Sequence, residues 1–265
     1  MVNGAGFRLL SPSEFGGSNP LPCIPIMKLS IIIPTLNEEK YLPKLLESIK
    51  AQGFEDYEII VSDGKSKDKT RKLAKKFGCK VVDGIGRPGI GRNKGAKIAK
   101  GEYYLFLDAD VILTKNFLNE VIEEFEKRNL DIGFCNAQPL EDTLGNRLYL
   151  GIYFVFNSIM QFIKPFGAGF CLLVRRDLHN KLGGFNEKLY YLEDVDYIQR
   201  SVKIGKFRVL KPQVLMSMRR YIMEGKWNSL ARYVRVYLYR VKGKEVTGKL
   251  AGDRKFYYAF DYKKD

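Results

Sequence analysis

The stretch Tyr103-Tyr104-Leu105-Phe106-Leu107-Asp108-Ala109-Asp110 is an apolar, aromatic-rich run that ends in two carboxylates one residue apart. Such a run reads as a buried strand carrying acid side chains to a sheet edge. In an extended chain, residues i and i+2 point to the same side, so Asp108 and Asp110 are expected to face one site together. Carboxylates so close repel unless something positive sits beside them, and a divalent cation or the hydroxyls of a sugar nucleotide would resolve that conflict. The same spacing is also what turn-forming aspartates at a strand end produce. The eight residues alone do not choose between the two readings.

Working outward, strand-like and helix-like pieces alternate. Leu29 to Ile33 is a β-branched run halted by Pro34, and Glu38 to Gln52 places Tyr41, Leu42, Leu45, Leu46 and Ile49 at helical spacing, with Asn37 as the expected N-cap. A second strand, Tyr57 to Ser62, leads to Asp63-Gly64 and a basic helix from Ser66 to Phe77. Cys79 to Val82 reads as a third strand, Gly91 to Ala99 as a short helix, Thr114 to Arg128 as another helix, and Asp131 to Gln138 as a strand. Repeated alternation of this kind predicts an α/β domain with a mostly parallel central sheet covered by helices on both faces.

After Gln138 the regularity breaks. Leu148 to Ile163 is apolar except for a narrow stripe of Asn157, Ser158 and Gln161, and it is shorter than the ~20 residues a membrane span needs, which leaves a core or interfacial helix, core burial being the default. Gly167-Ala168-Gly169 precedes a strand from Phe170 to Val174, Leu182-Gly183-Gly184-Phe185 makes a turn, and Glu193-Asp194-Val195-Asp196 opens a helix to about Ile204. Acids in a first helical turn also suit the helix dipole, so capping is a second reading for that cluster. Near the C-terminus Trp227, Leu230, Ala231, Val234, Leu238 and Val241 fall on one helical arc, with Arg232, Arg235 and Arg240 outside it: a basic amphipathic helix able to lie on an anionic membrane or to pack on the domain. The expected organisation is a flexible leader over residues 1–27 with Met27 the natural start, one domain over 28–220, and the helix with a charged tail over 221–265.

Composition narrows the function. The 265 residues hold 45 Lys+Arg against 30 Asp+Glu, a formal charge of +15, which suits an anionic partner such as nucleotide phosphates or an anionic membrane surface. No nucleic-acid-binding module is recognisable, so nucleic acid is not an expected partner. Cys23, Cys79, Cys135 and Cys171 are too scattered for a zinc site or a disulfide scaffold, which favours a reducing, cytoplasmic compartment. The single histidine, His179, makes Ser-His-Asp chemistry improbable and reads as a surface or packing residue.

In open α/β sheets ligands bind at the carboxyl ends of strands. The residues just past the strands are Pro34-Thr35-Leu36-Asn37-Glu38, Asp63-Gly64-Lys65-Ser66 and Asp108-Ala109-Asp110, and they are expected to converge on one crevice. There is neither a G-x-x-x-x-G-K-[ST] loop nor a G-x-G-x-x-G after the first strand, so ordinary P-loop and dinucleotide readings fail.

The ordered set Ile31 to Glu39, Val61 to Thr70, Gly91 to Gly95, Phe106 to Asp110, Gly183 to Glu187 and Glu193 to Asp196 resembles the family 2 glycosyltransferases with the GT-A fold, over roughly Lys28 to Arg220. The resemblance implies that Pro34, Thr35, Asn37 and Glu38 line a nucleoside pocket and that Asp63 bonds the base. Arg92 and Asn93 would help hold the nucleotide or donor sugar, Asp108 would face the ribose, and Asp110 would bind Mn²⁺ or Mg²⁺. Asp194 matches the family's general base, with Glu193 beside it. Where the family usually shows two aspartates after the second strand, Ser62-Asp63-Gly64-Lys65 keeps one. Gly169, Gly184 and Arg219-Arg220-Tyr221 are placed on the acceptor side, the last segment being loosely similar to an Arg-Trp segment of membrane-linked relatives.

The expected activity is therefore metal-dependent, inverting transfer of a sugar from a nucleotide-diphospho-sugar to a glycan or lipid-linked acceptor, peripherally at the inner face of the cell membrane. A nucleotidyltransferase forming a sugar nucleotide, and a non-catalytic membrane or nucleic-acid binder, are the alternatives.

Overall fold

In the computed structural model, residues 27–189, 192–225, 227–229 and 231 are described. The chain runs β1 (Leu29–Thr35), α1 (Leu42–Lys50), β2 (Tyr57–Asp63), α2 (Thr70–Lys76), β3 (Lys80–Asp83), α3 (Pro88–Ile98), β4 (Tyr103–Leu107) and β5 (Val111–Leu113). It continues with α4 (Phe117–Lys127), β6 (Ile132–Pro139), α5 (Leu144–Met160), β7 (Cys171–Arg175), α6 (Arg176–Leu182), α7 (Glu193–Ser201), β8 (Phe207–Met216) and α8 (Arg219–Glu224). The strands form one sheet in the order β3-β2-β1-β4-β7-β6-β8-β5.

Pairings β3-β2, β2-β1, β1-β4 and β6-β8 are parallel; β4-β7, β7-β6 and β8-β5 are antiparallel. The mostly parallel sheet expected from the alternation is observed. All five residues of β4 are buried at its centre, and successive residues address opposite layers: Tyr103 meets Phe125 of α4 edge-on, while Tyr104 meets His179 of α6. Helices thus cover both faces. His179 is a packing residue, 6% exposed, with Nδ1 2.8 Å from the Tyr197 hydroxyl.

Four expectations are corrected. First, Asn37 does not cap α1. Pro43 is tolerated only in the first helical turn, where its missing N–H is not needed, so the helix starts at Leu42 with Tyr41 as N-cap. Asn37 instead adopts a left-handed conformation (φ 56°), and its Oδ1 accepts from the Lys67 amide at 2.8 Å. Second, β4 ends at Leu107, so Asp108-Ala109-Asp110 is a tight turn between β4 and β5 rather than extended chain.

Third, β5 and β8 form two strands that hydrophobic runs do not announce: β5 is three residues long, and β8 is interrupted by Lys211-Pro212 and Gln213. Fourth, α5 is not a core helix. Its buried residues are Asn146, Leu150 and Asn157, whereas Leu148, Ile152, Val155, Phe156 and Ile159 are exposed by 48–63%, and Phe162 and Ile163 beyond it by 70% and 73%. The expected polarity is inverted, since Asn157 faces inward and an apolar stripe faces out. Among the described residues no helix is long and apolar enough to cross a membrane. Trp227 is 72% exposed; the leader before Met27, and Leu230, Arg232, Val234, Arg235, Leu238, Arg240, Val241 and the tail, lie outside the described residues.

Candidate functional site

The carboxyl ends of β1, β2 and β4 lie side by side because β2-β1-β4 is a parallel run, and each hands its next residues to the same edge. Between β1 and β2 the two post-strand loops are laced together. Gly64 N donates to Thr35 O at 2.8 Å and the Thr35 hydroxyl to Asp63 Oδ1 at 3.4 Å. Asn37 N donates to the Ser66 hydroxyl at 2.9 Å and Glu38 N to the Thr70 hydroxyl at 2.7 Å. Asp63 is 1% exposed and accepts from both the hydroxyl (2.6 Å) and the amide (3.2 Å) of Ser66. A Cβ on Gly91 would stand 3.2 Å from Pro34 Cβ, so a glycine at the start of α3 lets that helix approach the end of β1. Pro34, Thr35, Asn37, Glu38 and Asp63 therefore form one wall.

The two acids of the β4–β5 turn are held by two different arginines. Arg92, 2% exposed on α3, donates from Nη2 to Asp108 Oδ1 (2.9 Å) and the Gly169 carbonyl (3.2 Å), and from Nη1 to Glu193 Oε1 (2.9 Å). Asp110 faces Arg219 at the start of α8: Nε and Nη2 are 3.3 and 3.2 Å from Asp110 Oδ2, and Nη2 is 2.6 and 2.9 Å from the two oxygens of Glu38. The antiparallel β5–β8 ladder, with Val111 opposite Met216 and Ser217 N donating to Asp110 O at 3.1 Å, brings Arg219 to this edge. Sequence reasoning put Arg219 on the acceptor side; it lies against the strand-end acids. Arg220 is exposed beside it, and Tyr221 packs its ring 5.4 Å from that of Tyr149 on α5.

Burial raises the Asp110 carboxyl above its ordinary range, against the pull of Arg219 and Arg220. Burial likewise pushes Glu38 up to about 7, with Asp110 adding to the rise, against the opposing charge of Arg219, whose Nη2 contacts both Glu38 oxygens.

Glu193 and Asp194 open α7. Glu193 is 5% exposed and spent on Arg92. Asp194 is half-buried; its Oδ2 accepts from the Gly169 amide at 2.7 Å and its Oδ1 from the Val195 amide at 2.7 Å. Burial, reinforced by the charge of Glu193 and opposed by Arg92, raises its carboxyl to about 7. The residue before the pair, Leu192, is left-handed (φ 56°), which sparse sequence signals cannot reveal and which costs about 1–3 kcal/mol in a bulky residue. Asn93 turns away from the acids. Its amide is paired with both backbone groups of Phe185, donating to O at 2.9 Å and accepting from N at 2.8 Å, and so clamps the Gly183-Gly184 turn. Gly184 has φ 78°, and a Cβ there would fall 2.5 Å from Asn93 Oδ1.

The described residues contain no group of three or more His, Cys, Asp or Glu that could hold a metal unaided. Asp110 nonetheless fits a hard divalent cation, because Mg²⁺-type sites use one or two carboxylates and complete their shell with water and substrate phosphate oxygens. In the structure Asp110 Oδ2 is paired with the Arg219 guanidinium.

The profile of Glycosyl transferase family 2 matches residues 30–183, more than half of the chain. Over 116 residues the chain is 34% identical to the poly(ribitol-phosphate) beta-N-acetylglucosaminyltransferase TarS of Staphylococcus aureus, a match covering 40% of this chain and 20% of that one. Over 109 residues it is 38% identical to the dolichyl N-acetyl-alpha-D-glucosaminyl phosphate 3-beta-D-2,3-diacetamido-2,3-dideoxy-beta-D-glucuronosyltransferase of Methanococcus voltae, covering 37% and 34%. These matches span well under two thirds of either relative. The mannosyltransferase PcManGT of Pyrobaculum calidifontis, solved with GDP-Man and Mn²⁺, superposes with a TM-score of 0.60 at 20% identity over 71% of this chain and 56% of that one, and shares the fold. The strand-end motifs, the GT-A architecture and the profile agree: the chain belongs to glycosyl transferase family 2.

Proposed function

We propose that the chain is the donor-binding and catalytic domain of a divalent-cation-dependent, inverting glycosyltransferase that takes a nucleotide-diphospho-sugar. The observation that carries this reading is Asp194, a half-buried carboxylate anchored by the Gly169 amide and raised to about 7, linked through Glu193 and Arg92 to Asp108 at the end of β4. A carboxylate with a pKa near the working pH is suited to take a proton from an acceptor hydroxyl.

In this reading Pro34, Thr35, Asn37 and Asp63 hold the nucleoside and Asp108 faces the ribose. Asp110 holds Mn²⁺ or Mg²⁺, as the metal of the PcManGT complex invites. When bound, the cation supplies Lewis-acid stabilisation of the charge that develops on the leaving diphosphate. The acceptor hydroxyl approaches on the opposite face, gives its proton to an Asp194 oxygen and attacks the anomeric carbon as the bond to the diphosphate breaks, so configuration inverts. Glu193 keeps Arg92 in place, and Arg92 keeps Asp108 turned to the crevice.

Polyol-phosphate and dolichyl-phosphate chemistry in the names of two relatives supports an anionic or lipid-linked glycan acceptor, in keeping with the +15 charge. The outward apolar stripe of α5 supports peripheral attachment at the inner face of the cell membrane, in the cytoplasm. The deciding experiment is a donor-hydrolysis screen over UDP-, GDP-, dTDP- and CMP-sugars with and without Mn²⁺. Cation-dependent release of nucleoside diphosphate from at least one donor is the expected result; release of pyrophosphate from nucleoside triphosphates instead would favour a nucleotidyltransferase.

A further inference from the structure

We infer that Arg219 belongs to the donor side of the site, where its guanidinium competes with a divalent cation for Asp110 and is the group that receives the diphosphate. The inference rests on the donor reading above and adds to it a residue and an order of binding.

The geometry is specific. The Arg219 side chain is only 16% exposed and stands between two carboxylates of similar burial, Glu38 (15%) and Asp110 (13%). It contacts both, with its Cζ 4.1 Å from the centre of the Tyr41 ring. Those contacts come from the ends of β1, β4 and β8, three separate strands, so the guanidinium ties together the edge that a diphosphate would have to cross. Oδ2 of Asp110 faces Arg219, and a cation binding that oxygen meets a guanidinium about 3 Å from the same atom.

Two cations at one carboxylate oxygen repel. A divalent ion alone must therefore displace Arg219 or share with it, and its affinity suffers in either case. A diphosphate changes the balance, because its oxygens accept the guanidinium while they also ligate the ion. Arg219 then turns from the carboxylates to the phosphate, and Asp110 is released to the metal. Metal and diphosphate are thereby made to bind together, and linkage requires each to raise the affinity of the other by the same factor.

The test uses the full chain and probes that do not depend on the unknown base or sugar. Mn²⁺ alone is titrated by electron paramagnetic resonance of the free ion, and the preformed Mn²⁺–pyrophosphate complex is titrated by calorimetry. Arg219→Gln should bind Mn²⁺ alone about fivefold or more tightly, the low end of ordinary site coupling. It should bind the pyrophosphate complex about tenfold more weakly, as loss of one charge-assisted hydrogen bond implies. A merely structural Arg219 would weaken both. Arg219→Lys keeps the charge and should leave Mn²⁺ alone weak while restoring part of the pyrophosphate affinity; tightening of Mn²⁺ in the lysine variant as large as in the glutamine variant would overturn the inference. So would unchanged or weakened Mn²⁺ binding in Arg219→Gln, or unchanged pyrophosphate binding, provided the wild-type chain binds the complex. Failure of the wild-type chain to bind Mn²⁺–pyrophosphate at all would sink the donor reading itself.

Discussion

Arg92 Nη1 lies 2.9 Å from Glu193 Oε1, a buried ion pair joining residues 101 apart in the chain. The same guanidinium holds Asp108 and the Gly169 carbonyl, so one side chain ties α3 to the β4–β5 turn, to the segment before β7 and to the first turn of α7. Its removal leaves Glu193, with its side chain 7% exposed, without its cation. Arg92→Ala should destabilise the fold by about 3–5 kcal/mol, the cost of breaking a buried pair from one side. Chemical denaturation read by circular dichroism checks this, and a loss below about 1 kcal/mol would contradict the geometry.

Gly169 lies on this junction as well. A Cβ there would sit 2.5 Å from Arg92 Nη2, while its amide holds Asp194. Gly169→Ala should therefore push Arg92 off Asp108 and cost about 1–3 kcal/mol as an overpacked site does, with activity falling further than stability accounts for. Thermal melts and turnover measured on the same preparation separate the two effects.

Asp194→Asn is isosteric, cannot take a proton, and keeps an oxygen for the Gly169 amide. With the cognate donor, kcat should drop by about 10²–10⁴ while nucleoside diphosphate affinity stays within about twofold. Wild-type turnover in this variant would remove Asp194 from the role of base.

The pH dependence follows from the same carboxyl. As the proposed base Asp194 must be ionised to act, and burial with the neighbouring Glu193 raises it to about 7. Activity should rise with pH up to about 7 and then level off, and the limb should vanish from the residual activity of Asp194→Asn. For stability the sign is opposite. A folded-state pKa raised above the ordinary aspartate range favours the protonated form, so this group's contribution is present at about pH 4 and lost as pH rises through about 7. Asp194→Asn sets an NH2 against one of the two amides that Asp194 accepts, a fixed offset, so the check is the slope: the wild-type denaturation midpoint should fall relative to that of Asp194→Asn as pH rises across this window.

The apolar stripe of α5 is exposed already, so charging it should cost little stability. Ile152→Glu and Val155→Glu should change unfolding free energy by about 0.5 kcal/mol or less and reduce flotation with anionic liposomes several-fold. Equal flotation of wild type and variants would detach α5 from any membrane role.

Much of the strand-end edge was legible in the chain itself. Short β-branched and aromatic runs at β1, β2 and β4 mark buried parallel strands, because both faces of such strands are covered. The residues after each run must then meet at one edge, since parallel neighbours end together. That Pro34, Thr35, Asn37, Glu38, Asp63 and Asp108 gather at one edge needed no more than that. Local rules failed where a polar group or a short strand had a distant partner. β5 is only three residues long and the apolar run of β8 is broken by Lys211-Pro212-Gln213, so neither announces itself; β8 is held by its parallel pairing with β6, and β5 by its antiparallel pairing with β8. α5 reads as a core helix by composition, yet the sheet buries its asparagines.

What the sequence by itself determined is the alternating α/β architecture and the order in which its strand-end acids arrive. Hydrophobic period and turn chemistry act over a few residues and are written locally. What only the tertiary structure decided is which cation each acid meets: Asp108 takes Arg92, 16 residues away, and Asp110 takes Arg219, 109 residues away. Charge has no period along a chain, and a salt bridge is set by where strands end and helices begin in space. That placement sets Arg219, expected on the acceptor side, against the strand-end acids Glu38 and Asp110.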